Sequence, residues 1–285
     1  MAEETPESGL ARRRKRLSDD ETARRMLAAA VARVEEAGLT VSLEHISFEE
    51  VIRDAGVARS AAYRRWPYKD LFFGDLLREL ARGASPAITD TNPGAVETVA
   101  RTLLASLHWA RTPGLRRALA GEVLRESALG EFEAFHRSSA WRTYLALQAT
   151  FRGLPDGVLR AEVQQSFAES ERSLVAGVAA AYARMATLIG LRPCAGVTFE
   201  TAARTAIATL RGLILMAPGD PDLTVRRFRA NPFGAPEPAE WSEPALAIAS
   251  VVLALVEADP DVPWTDEHER SVATLLRSGR WAARG

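Results

Sequence analysis

Apolar residues recur along most of this chain at intervals of three and four, the spacing that places side chains on one face of an α-helix. Ala23, Met26, Leu27, Ala30, Val31 and Val34 form the first such stripe. Ser18, three residues ahead of Glu21, supplies a capping box in front of it, and Gly38 ends it. Ser47 and Glu50 open a second helix, with Ile46 and Val51 placed to close as a hydrophobic staple, and Ala55-Gly56-Val57 interrupts it. A third helix runs from about Ala58 to Trp66, because Pro67 disfavours helical geometry at the residue before it. A fourth starts near Tyr68, presents Leu71, Phe72, Leu76, Leu77 and Leu80, and stops at Gly83-Ala-Ser-Pro86.

Beyond that point the periodicity predicts helices over roughly 94–110, 114–127, 131–151, 157–190, 198–217, 244–258 and 265–282, punctuated by proline and glycine. No alternating run is long enough to argue for a sheet. Residues 218–243 carry Pro218, Pro221, Pro232, Pro236 and Pro238 and read as a long loop with one helical turn near 222–230. The expected fold is all-α: a three-helix N-terminal helix-turn-helix domain and a larger C-terminal helical bundle. The expected division is 1–17 as a disordered basic arm, 18–83 as the helix-turn-helix domain, and 84–285 as the larger bundle.

Composition changes this picture little. A chain 47% hydrophobic and 26% charged can build an ordinary core, and a net charge of −1 means that any nucleic-acid signal must come from local clustering. Cys194 stands alone, which excludes an internal disulfide or a cysteine zinc cage and fits a reducing compartment. The apolar run after the first residues lacks a signal-peptide pattern, and Pro244 to Val256 is too short to cross a bilayer. The expected location is the cytoplasm.

The local cluster exists. Gly56 to Lys69 holds four cations, Arg59, Arg64, Arg65 and Lys69, and no acid. Two short helices around a glycine turn describe a helix-turn-helix, whose last helix enters the DNA major groove. Helical spacing puts Val57, Ala62 and Trp66 inward and Arg59, Ser60, Tyr63 and Arg64 outward, with Arg65 at the edge. Lys69 falls in the first turn of the next helix, where free backbone N–H groups also favour a phosphate. The Arg59 fork matches guanine O6 and N7, and Tyr63, Arg65 and Lys69 suit phosphates. The run Arg12–Arg16 fits either a minor-groove arm or a solvated tail.

Residues 19–80 resemble the tetracycline-repressor-like (TetR) family of bacterial transcriptional regulators. Ala55-Gly56-Val57, Tyr63-Arg64, Trp66-Pro67 and Lys69-Asp70-Leu71 carry the resemblance, ungapped, behind an amphipathic first helix. The chain departs from the family pattern at Ala58, where a serine or threonine cap is usual, and at Ala61-Ala62, Trp66 and Tyr68. The resemblance implies a dimer on a double-stranded, palindromic DNA operator, acting in repression and released by a small organic effector, with 84–285 as the effector-binding and dimerisation domain.

Two segments offer a dimer seam. Phe199, Ala202, Ala203, Ala206, Ile207, Leu210, Leu213 and Ile214 form one stripe near 198–217, and the segment 244–258 is apolar all round. Burial of both within one subunit is the alternative. An aromatic-rich set offers an effector pocket: His108, Trp109, Trp141, Tyr144, Gln164 and Phe167, with Phe135, Phe151, Tyr182, His136 and Gln165 nearby. No phosphate loop, nucleophile elbow or His-Glu-x-x-His spacing is present, and Glu131, Glu133 and His136 fit a solvated helix face better than a metal site. The expectation is therefore no enzyme and no cofactor. A helical DNA-associated or protein-interaction module without an effector is the competing reading.

Overall fold

The computed structural model describes residues 17–37, 46–83 and 93–282. The Arg12–Arg16 run and the helix stop at Gly38 lie outside them. Among the described residues the chain forms eleven α-helices and two small antiparallel sheets of two strands each. The N-terminal unit comprises α1 (Asp19–Ala37), α2 (Phe48–Asp54), α3 (Arg59–Arg65) and α4 (Lys69–Gly83). Its helix starts follow the sequence signals: Ser18 Oγ accepts from Glu21 N at 3.1 Å and Ser47 Oγ from Glu50 N at 3.4 Å. Ile46 and Val51 are both buried, as a hydrophobic staple requires.

The larger unit is built from α5 (Pro93–Ser106), α6 (Pro113–Arg137), α7 (Ser139–Arg152), α8 (Val158–Ile189), α9 (Phe199–Met216), α10 (Glu243–Leu253) and α11 (Asp266–Ser278). Helix α10 packs between α6 and α9, α9 packs on α8, and α4 packs on α8 and α1, so α8 touches both halves of the molecule. One helix boundary differs from the periodicity. Gly130 sits inside a continuous α6, and the break falls at Ser138, whose Oγ caps α7 by accepting from Trp141 N at 3.3 Å. A glycine in ordinary helical backbone lowers helix propensity without ending the helix.

The segment 218–243 is also a correction. It holds two 3-10 turns and then a hairpin of β2 (Arg227–Ala230) and β3 (Ala239–Ser242), with Phe228 opposite Trp241. The Asn231 side chain closes the loop, donating to Ala235 O at 2.7 Å and accepting from Ala235 N at 2.8 Å. Trp241 is buried, with Phe233 edge-on at 5.4 Å. Four alternating residues are too few to stand out in the sequence, and the ladder forms because Trp241 has a core to enter. Likewise α10 ends at Leu253, and Val256–Ala258 becomes β4, paired with β1 (Leu191–Pro193).

The proposed seam is covered within the single chain. Ala202, Ala203, Ala206, Ile207, Leu210, Leu213 and Ile214 of α9 are all buried, as are Ala245, Ile248, Ala249, Val252 and Leu253 of α10. The large apolar side chains that α9 leaves exposed are Leu215 and Met216 at its end.

A buried cation ties the far end of this unit together. Arg116, only 2% exposed, donates to four backbone carbonyls: Nε to Ala110 at 2.9 Å, Nη1 to Gly190 at 3.1 Å and Asp259 at 2.9 Å, and Nη2 to Val262 at 3.0 Å. These are the turn before α6, the end of α8, and the chain after β4. Gly190 has φ +65°, and a Cβ there would stand 2.7 Å from Arg116 Nη1. Gly190→Ala therefore meets both left-handed backbone and a guanidinium with little freedom to move, and is expected to cost about 2 kcal/mol, read as a lower urea midpoint with an unchanged slope.

Candidate nucleic-acid interface and internal cavity

Helix α3 is positioned from below. Gly56, at φ +61°, turns the chain out of α2. Val57, Ala62 and Trp66 then face inward at 9%, 0% and 0% exposure, as the helical spacing requires. The Trp66 indole meets Phe72 edge-on at 5.2 Å and Phe48 at 6.5 Å, and its Nε1–H donates to Asp75 Oδ2 at 2.9 Å. Ala58 caps α3 without a side-chain hydrogen bond, an omission that costs a helix about 1 kcal/mol. Tertiary packing of Ala62 and Trp66 holds this two-turn helix in place.

The opposite side carries the polar set. Arg59, Ser60, Arg64, Arg65 and Lys69 are exposed and Tyr63 is half-buried. Glu49 of α2 accepts from Arg59 Nη2 at 2.9 Å and from the Tyr63 hydroxyl at 2.7 Å, and the Arg59 guanidinium lies over the Tyr63 ring at 5.6 Å. Arg64 pairs with Asp19 at the start of α1 and Arg65 with Asp75. Such exposed pairs contribute about 0–1 kcal/mol, so a phosphate can exchange for the carboxylate at little cost. Lys69 makes no ion pair among the described residues and sits at the first position of α4.

A polar chain leaves this face for the bundle. Asp75, which accepts from Trp66, also accepts from Arg78 Nη1 at 2.7 Å through its other oxygen, and Arg78 Nε donates to Glu162 of α8 at 2.5 Å. The end of α3 is thus joined to α8 through three consecutive hydrogen bonds.

Helix α8 also lines a cavity of about 430 Å³. Its walls come from α5, α6, α8, the start of α9, the end of α10, β4 and the turn after α11. Apolar side chains such as Val99, Val123, Met185 and Phe199 dominate, with Thr98, Ser127, Glu126, Glu131, Tyr182 and Arg184 among the polar minority. Burial, and after it the charge of Glu131, raises the Tyr182 phenol well above its ordinary value.

Of the residues expected at an effector pocket, Tyr182 lines this cavity, and His108, Trp109, Trp141, Tyr144, Gln164 and Phe167 do not. Trp141, Tyr144 and Phe167 belong to an aromatic run through the α7–α8 core, beginning with Phe135 tilted against Trp141 and continuing edge-to-face to Phe151. There the Tyr144 hydroxyl donates to Glu171, which also accepts from Arg211 Nη2 at 2.7 Å, so the cluster is filled by its own side chains. His108 and Gln164 are exposed, and Trp109 lies in the 3-10 turn Leu107–Arg111. Aromatic content points to packing as readily as to a pocket. The better signal was the small-residue face of α6, Ser127, Gly130 and Ala134 at helical spacing, which leaves room beside the helix.

Among the described residues no three His, Cys, Asp or Glu side chains gather as metal ligands, and no helix is long and apolar enough to cross a membrane. Glu133 pairs with Arg137 at 3.0 Å and His136 stacks on Phe132. Trp66→Phe keeps a ring in the same niche but leaves Asp75 without its indole donor. It should destabilise the N-terminal unit by about 1–2 kcal/mol, measured as faster amide exchange in α3 than in α6.

No protein-family model and no curated protein matches the chain. Among solved structures it is similar to SmeT, the repressor of the multidrug efflux pump SmeDEF of Stenotrophomonas maltophilia, at 19% identity over 86% of this chain and 96% of that one, with a TM-score of 0.36. It is similar also to TylP, a TetR regulator from Streptomyces fradiae, at 15% identity over 91% of this chain and 99% of that one, with a TM-score of 0.33. Scores this low leave what the chain binds to be argued from its own residues.

Proposed function

We propose that the chain is a DNA-binding transcriptional regulator of the TetR-like kind, with α3 as the recognition helix and the bundle as the sensor of a small organic effector. The observation that carries this reading is the two-sidedness of α3. Its inward side is closed by Trp66 and Ala62, while Arg59, Ser60 and Arg64 stand in solvent on a slim helix. A major groove admits such a helix, and its floor is read by a forked guanidinium in the place Arg59 occupies. Tyr63, Arg65 and Lys69 flank it where phosphates run.

A two-turn helix reads too few base pairs to mark one site in a genome, so two copies are needed on an inverted repeat, with centres about 34–36 Å apart. Release by an effector follows from the position of α8, which lines the cavity with Val178 and Met185 and holds Arg78 through Glu162. A molecule that fits one setting of α8 better than another biases the α4 and α3 positions by that difference in binding energy.

Selection of random duplex DNA with the purified protein tests this directly: inverted repeats at that spacing are expected, and unenriched sequence with no salt-dependent binding overturns it. Within the selected site, Arg59→Ala should relax preference at one base pair by about 1–3 kcal/mol, whereas Lys69→Ala should weaken every sequence alike and lower the salt slope by about 1. Glu49→Gln removes the carboxylate that competes for Arg59, and should tighten DNA binding about two- to fivefold in anisotropy titrations.

A further inference from the structure

The cavity has a feature beyond its size. Helix α11 ends at Gly279, whose φ of +70° turns the chain back and sets the 3-10 turn Arg280–Ala282 into the cavity wall. Trp281 lies in that wall, and its indole Nε1–H is buried with no acceptor in reach among the described residues. Most buried donors in a folded protein are paired. Trp141 Nε1 is unpaired too, but inside the packed α7–α8 core, whereas the Trp281 donor stands at the wall of a cavity, where an occupant can reach it.

We propose that the cavity binds an uncharged, mainly apolar molecule carrying a hydrogen-bond acceptor, and that Trp281 donates the bond that orients it. The volume, about 430 Å³, falls in the range of small-molecule sites. The wall offers charges of both signs, Glu126 and Glu131 against Arg184, and Glu126 is itself paired with Arg125 at 2.7 Å. No single-sign field therefore favours an ionised ligand, and desolvating one among Val123, Val178 and Met185 is unfavourable. The Tyr182 phenol, neutral at ordinary pH and pushed further from ionisation by burial, adds no charge. An acceptor on an otherwise apolar body loses little on leaving water and relieves the indole donor, a difference that selects such a molecule over a plain hydrocarbon. The proposal rests on the regulator reading only for its biological role; the binding itself does not.

Three dyes separate the possibilities in titrations of the full chain: Nile red, uncharged with a ring carbonyl; pyrene, a hydrocarbon without an acceptor; and the anion 8-anilinonaphthalene-1-sulfonate. Nile red is expected to bind at one site per chain with blue-shifted emission, and the anion at least tenfold more weakly. Trp281→Phe should weaken Nile red about three- to tenfold and pyrene less than twofold. Val178→Trp, which fills the cavity from α8, should abolish the site for both while the helical circular dichroism is retained. Failure of Nile red to saturate at one site, equal losses for both dyes in Trp281→Phe, or binding unaffected by Val178→Trp overturns the proposal. Absence of DNA binding would reject the regulator reading and leave these titrations unchanged.

Discussion

One buried ring underlies the arrangement of the N-terminal unit. Trp66 is fully enclosed, between Phe48 of α2 and Phe72 of α4, and its single polar atom is satisfied by Asp75. Helix α3 has only seven residues and an uncapped start, so by itself it is far too short to persist in water. It exists because its last turn is anchored. The same anchor determines which side faces solvent, and a rotation about the helix axis would bury Arg59 or expose the indole.

Asp75 extends this constraint. One oxygen takes the indole proton and the other takes Arg78, which reaches Glu162 on α8. A carboxylate between two donors on different elements fixes their relation more tightly than apolar contact, since hydrogen bonds are directional. Helix α8 is 32 residues long and runs from this junction past the cavity to Gly190, where Arg116 clasps its end together with the chain after β4. A long helix gripped near both ends thus joins the cavity wall to α4 and, through Asp75, to the end of α3.

Arg116 shows how the larger unit accommodates irregular backbone. Four carbonyls at turns and element ends are collected by one guanidinium, a donor arrangement that no lysine can reproduce. The short strands β1 and β4 then form beside it, and the turn after α11 is carried back towards α6 and α8. The cavity is the space left where these pieces meet a face of α6 made of small residues.

Local signals in the sequence were sufficient for the helix-turn-helix: Ser47 with Glu50, Gly56, the Val57–Ala62–Trp66 spacing and Pro67 each act within a few residues, so their meaning is readable in order along the chain. They also determined that most of the remainder is helical. The small hairpins, the break at Ser138, the covering of the α9 stripe by neighbours in the same chain, and the place of the cavity were decided only in three dimensions. Trp141 and Trp281 make the contrast concrete. Both are tryptophans in helical surroundings, but one packs into the α7–α8 core and the other lines the cavity, because that outcome depends on which distant helices come alongside: α9, through Arg211, for Trp141, and α5, α6 and α8 for Trp281.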